Sequence, residues 1–149
     1  MSEGVTLRQA RSSDATELAA LATELGYPST AADVERRLPS LLSSPEHLLL
    51  VAAGPNDRAV GWLHAAIHRG LTNDARGEIV GLVVAADRRG SGIGARLLAE
   101  TEKWARKAGV SQVRVRSNVA RERAHGFYLR AGYALAKTSH VFVKELGSE

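Results

Sequence analysis

Arg88-Arg89-Gly90-Ser91-Gly92-Ile93-Gly94-Ala95 stands between an apolar run, Ile79 to Val84, and an amphipathic run that begins at Ile93. That order predicts a strand, a tight glycine-rich turn and a helix. Glycine at every second position lets the main chain pack closely and turn its N–H groups toward a ligand. The helix that follows adds its own unpaired N–H groups and the positive end of its dipole. The turn therefore reads as an anion cradle, and phosphate is the anion that suits it best. Arg88 and Arg89 stand at its edge, where charge-assisted contacts are worth roughly 1.5–3 kcal/mol each if desolvated.

The helix after the cradle is expected over Ile93 to Ala108, with Ile93, Leu97, Thr101, Trp104 and Ala108 on its apolar stripe and Gly109 as its C-cap. Upstream, His47 to Ala53 reads as a buried strand and Gly54-Pro55-Asn56-Asp57 as a turn. Ala59 to His68 then forms the hairpin partner, a polar connection covers Arg69 to Arg76, and Gly77 to Val84 is the next strand. Nearer the N-terminus, Val5 to Gln9 alternates as a short strand, and Ser12-Ser13-Asp14 offers capping oxygens to a helix carrying Leu18, Leu21, Ala22 and Leu25. A second helix starts near Thr30 with Val34, Leu38, Leu41 and Leu42 buried, and Pro39 is expected to kink it or end it early. Downstream come a strand over Val113 to Arg116 and a helix carrying Ala120, Ala124, Phe127, Tyr128 and Ala131. Tyr133 to Lys137 and Val141 to Glu145 then read as a closing hairpin. The sum is a mixed α/β sheet of about seven strands with about four helices on both faces.

The chain has 149 residues, no cysteine and a net charge of +4. Its length suits one domain, residues 1–149, with a real core. The lack of cysteine excludes a disulfide scaffold and Cys-based metal sites, and fits a reducing, cytoplasmic setting. No secretory signal is visible in the first ten residues, and the apolar runs are too short for a membrane span. The basic residues are scattered, and Trp62 and Trp104 stand far apart, so a nucleic-acid partner is disfavoured against a small polyanion. His64 and His68 share a strand face at period two, but no third ligand accompanies them, so no metal is expected.

The cradle lacks the Gly-Lys-Ser/Thr ending of an ATP-binding loop. Gly90, Gly92 and Ala95 satisfy a loose dinucleotide spacing. However, antiparallel strands precede the turn, and the next strand ends in Ser117-Asn118 with no acid to hold a ribose. A dinucleotide oxidoreductase is therefore a third reading, behind the two that follow.

The chain resembles the GNAT superfamily of N-acetyltransferases. Arg89-Gly90-Ser91-Gly92-Ile93-Gly94 matches that family's Arg/Gln-x-x-Gly-x-Gly/Ala signature, and Leu82-Val83-Val84 is similar to the strand before it. Ser117-Asn118, followed by Ala124-His125-Gly126-Phe127-Tyr128-Leu129-Arg130-Ala131-Gly132-Tyr133, resembles a later family motif. The order of elements is also similar from Val5 to Glu145.

The resemblance implies a mostly antiparallel, twisted sheet splayed between its fourth and fifth strands. It implies acetyl-coenzyme A as cosubstrate, with the pyrophosphate on the amides of Arg89, Gly90, Ser91, Gly92, Ile93, Gly94 and Ala95. The pantetheine arm would pair with the main chain of Leu82, Val83 and Val84 by strand addition and would meet Asn118. Acetyl would pass directly to a primary amine of a small-molecule or peptide acceptor, with a strand amide near Val84 stabilising the carbonyl oxygen. Tyr128 matches the family's general acid, and Glu78 the strand glutamate that some branches use as base. Each has a plainer reading: a packed tyrosine, a solvated carboxylate, and, for Asn118, a helix N-cap. The runner-up function is a non-catalytic acyl-coenzyme A sensor of the same fold. The resemblance also allows a homodimer.

Overall fold

Short apolar runs set between turn residues form the strands, and apolar stripes at helical spacing form the helices. In chain order these are β1 (Thr6–Gln9), α1 (Ala15–Glu24), α2 (Ala31–Leu42), β2 (His47–Ala53), β3 (Ala59–His68), β4 (Arg76–Val84), α3 (Ile93–Lys107), β5 (Val113–Val115) and α4 (Glu122–Arg130). The computed structural model describes residues 4–117 and 119–148. The chain divides into two compact units, Met1–Arg116 and Ser117–Glu149.

The first unit holds one sheet in the order β1-β2-β3-β4-β5. The first four strands pair antiparallel with their neighbours, and β5 runs parallel to β4. Alternation along the strands divides the core in two. On one face Leu49, Val51, Ala53 and Val83 cluster with Leu18 and Leu21 of α1 and Leu38 of α2, and Trp62 packs against them. On the other, Leu63 and Ala65 are fully buried and α3 lies across the strands. Gly61 is required where β3 meets β4, since a Cβ there would lie 3.0 Å from the Val83 carbonyl oxygen.

Two helical expectations are corrected. α2 does not end early but continues past Pro39 to Leu42, and the Ser43 N–H still bonds the Pro39 carbonyl at 3.1 Å. Proline frees only the carbonyl four residues back, that of Glu35, which lies on the exposed side where water serves it. On α3 the buried stripe is Ile93, Leu97, Leu98, Thr101 and Ala105, whereas Ala108 is exposed. The helix ends at Lys107 with Ala108 as its cap residue, and Gly109 follows at φ 82° as the left-handed glycine stop expected there.

The second unit contains α4, closed by Gly132 at φ 95°. The Gly132 N–H bonds the Leu129 carbonyl at 3.1 Å and the Tyr133 N–H bonds the Tyr128 carbonyl at 3.0 Å. The closing hairpin is not formed, since the described residues 133–148 carry no strand. The described sheet therefore has five strands, not seven. Val141, Phe142 and Val143 are consecutive, so an extended chain puts apolar side chains on both of its faces, and all three are exposed. A lone two-stranded hairpin is at best marginal in water.

Candidate active site

The cradle is built by left-handed glycines. Gly90 has φ 80° and Gly92, the N-cap of α3, has φ 88°. A Cβ at either position would meet no atom within 4 Å, so the space over both residues is open. Arg96 is the first α3 residue to bond back, its N–H donating to the Gly92 carbonyl at 3.1 Å. The N–H groups of Ile93, Gly94 and Ala95 therefore precede the helical ladder and add to the positive end of the dipole.

Three fixings hold this turn. The Ser91 hydroxyl donates to the Arg88 carbonyl. The Ala86 N–H donates to the Glu24 carboxylate at 2.8 Å, tying the start of the loop to α1. Ile93, 1% exposed, anchors its end against β3. Of the two arginines, Arg89 lies exposed with Nε 3.4 Å from the Val84 carbonyl oxygen, and Arg88 is half-buried.

β4 leads into the cradle, and its pairing changes along its length. The β5 ladder covers Gly77, Glu78 and Ile79 only. Beyond Ile79, β4 continues to Val84 against β3. Between these stretches the register slips, with His64 facing Gly81 and Ala65 facing Ile79. Val80 is thus the extra residue of a bulge, 62% exposed. The main chain of Leu82, Val83 and Val84 consequently runs past the end of β5, with its second edge beyond that ladder.

Glu78 lies half-buried on the sheet face shared with Trp62, His64 and Ala66. Arg76 Nη2 stands 3.6 Å and Arg116 Nε 3.9 Å from its Oε1. Arg114 faces it in register across β5. Sequence reasoning placed Arg76 in a polar connection, but it opens β4 and is buried. Its signal was available: it stands two residues before Glu78, and hence on the same face of any strand containing both.

His64 was paired with His68 on sequence alternation, yet its partner is His47. The rings stack with centroids 5.2 Å apart, and His47 Nδ1 lies 2.9 Å from His64 Nε2. Burial, and then the nearby His47, push His64 down to about 4. It therefore stays neutral at ordinary pH. Only the β2–β3 register reveals this pairing.

In the second unit Tyr128 is half-buried on α4, edge-on to Phe127 at 5.2 Å and to Tyr133 at 5.9 Å between ring centroids. Asn118 lies outside the described residues.

Comparison with known proteins agrees with this geometry. The model of the acetyltransferase (GNAT) family matches residues 13–133, a span that crosses both units. An aminoalkylphosphonate N-acetyltransferase of Salmonella typhimurium is 44% identical over 94 residues, which cover 61% of this chain and 58% of that relative. The chain thus matches a little over half the length of that protein. An aminoglycoside N(6')-acetyltransferase of Stenotrophomonas maltophilia is 29% identical over 132 residues, 86% of this chain and 85% of its own. Among solved structures, an aminoglycoside 6'-N-acetyltransferase from Acinetobacter baumannii superimposes with a TM-score of 0.82 at 20% identity, covering 97% of this chain and 100% of that one. An aminoglycoside N-acetyltransferase in complex with CoA gives 0.84 at 14% identity, with 95% of each chain covered. At these identities the likeness is one of fold.

Proposed function

The chain belongs to the acetyltransferase (GNAT) family, and from that premise we propose that it transfers acetyl from acetyl-CoA directly to a primary amine of a small molecule. The observation that carries this reading is the cradle: two left-handed glycines with open space above them, leading into the N-terminus of α3. The amides of Arg89 through Ala95 hold the pyrophosphate. The edge of Leu82 to Val84 that lies beyond the β5 ladder receives the pantetheine amides as an added strand, so the thioester arrives alongside β4 near the bulge. Asn118 contacts the same arm.

An ammonium has no lone pair for attack, so the acceptor must first lose a proton. Glu78, on the sheet face beside the bulge, takes that proton directly or through water. As the amine attacks, negative charge grows on the carbonyl oxygen, and a strand amide near Val84 stabilises it. The departing thiolate receives its proton from Tyr128. No covalent enzyme intermediate forms, so no cysteine or serine nucleophile is needed. Residues 1–149 act as one catalytic domain.

Release of free thiol from acetyl-CoA is the test, measured against a panel of primary amines. Amine-dependent release that falls in Glu78→Gln is expected. Tight CoA binding without turnover of any amine would instead favour a non-catalytic acyl-CoA sensor.

A further inference from the structure

We infer that the acceptor is an amine that also carries an acidic group, and that Arg76 binds that group. The inference rests on the N-acetyltransferase reading above and narrows its acceptor. Trp62 Nε1, Arg76 Nε and Glu78 Oε1 are all buried without a hydrogen-bond partner. The register places them on one face of two neighbouring strands. Glu78 faces Ala66 and Arg76 faces His68, and Trp62 lies on the same side of β3 as both. A buried donor or acceptor left unpaired is costly, and native proteins retain one where something else supplies the partner. Arg76 is the sharpest case, since it is only 7% exposed.

Charge points the same way. Arg76 and Arg116 approach Glu78 only to 3.6 and 3.9 Å, beyond hydrogen-bond length, so their N–H groups are not committed to its carboxylate. Two guanidiniums stand within 4 Å of one carboxylate, which leaves a positive charge over, and Arg114 adds a third arginine at the neighbouring register position of β5. A planar guanidinium fork fits two oxygens of a carboxylate, phosphonate or phosphate. The same field repels a polycationic acceptor. It also disfavours the ammonium form of a bound amine and so eases loss of its proton. Glu78 Oε1, on the same face, is left for the amine end.

The test compares matched amines by thiol release from acetyl-CoA: 2-aminoethylphosphonate, β-alanine, propylamine and spermidine. Calorimetry of the same amines with CoA present supplies a readout independent of turnover. The acidic amines are expected to exceed propylamine in kcat/KM by roughly tenfold to a hundredfold, the worth of one desolvated charge-assisted contact. Arg76→Gln should collapse that ratio toward one, and Arg76→Lys should keep part of it. Methylphosphonate should compete with the amine in the unaltered protein, a measurement that needs no variant to fold. The two acidic amines rank carboxylate against phosphonate.

Equal use of propylamine, preference for spermidine, or a ratio unmoved by Arg76→Gln would overturn the inference and leave N-acetyl transfer standing. Arg76-dependent binding of the acidic amines without any thiol release would overturn the transfer reading and keep the acid site. Neither binding nor turnover would overturn both.

Discussion

At the scale of single residues, Gly92 separates a binding role from a folding role. Its φ of 88° and the open space above it mean that a side chain there is strained in the backbone but unopposed sterically. Left-handed backbone costs a non-glycine residue roughly 1–2 kcal/mol, less for Asp, which can bond locally. Gly92→Asp should therefore lower the melting temperature only modestly. The same carboxylate points into an anion site, so acetyl-CoA affinity measured by calorimetry should fall far more. Comparable losses in both would mark the turn as merely structural. Tyr128 poses the parallel question. Its ring contacts with Phe127 and Tyr133 survive in Tyr128→Phe, so packing predicts little change. A general acid predicts a kcat loss of about 10²–10⁴.

At the scale of elements, α3 must be held against the sheet for the cradle to face the right way. Leu97 is completely buried on that contact, so Leu97→Ala should destabilise the fold by about 2–5 kcal/mol in denaturant titration. The elements that local pattern specifies were the legible ones. β2 and β3 fall where apolar runs and Gly54-Pro55-Asn56-Asp57 place them, and α3 begins at the expected Ile93. Pairings were not legible, because they depend on register between distant segments. His47 meets His64 across a hairpin, and Arg76 joins β4 through its pairing with His68 of β3. The bulge at Val80 does carry a local mark, Gly81 inside the apolar run, but glycine alone does not say which residue is extra. The cradle and Glu78 could be read because glycine spacing and strand position are local; Arg76, two residues before Glu78, carries the same local signal, whereas the approach of Arg76 and Arg116 to the carboxylate depends on the folded sheet. Pro39 misled because the rule against proline counts a lost bond, and an exposed carbonyl recovers that bond from water.

At the scale of the whole molecule, electrostatics ties the start of the first unit to the β2–β3 turn and sets the response to acid. Arg8 bonds Asp14 at 2.8 Å and Asp57 at 2.9 Å, and Arg11 reaches Asp57 at 2.7 Å, linking β1, the turn before α1 and the β2–β3 turn. Burial pushes Asp14 upward, but the Arg8 guanidinium and the Arg11 N–H outweigh it and hold the carboxyl below its usual range. Asp57 is lowered chiefly by its bond to Arg8. Both contributions are present above the ordinary carboxylate range and vanish as pH falls through the lowered folded values. His64 acts earlier. Its folded value of about 4 lies below the ordinary 6.5. Between those values the unfolded chain takes up a proton that the folded chain refuses, so stability falls as pH falls. Thermal melts should then show a flat plateau above neutrality, a decline from about pH 6.5 to 4 assigned to His64, and a further decline below it assigned to the two aspartates. His64→Asn should flatten the first limb and spare the second. If the first limb keeps its slope in that variant, another group titrates there and the buried histidine pair is not what sets the acid response.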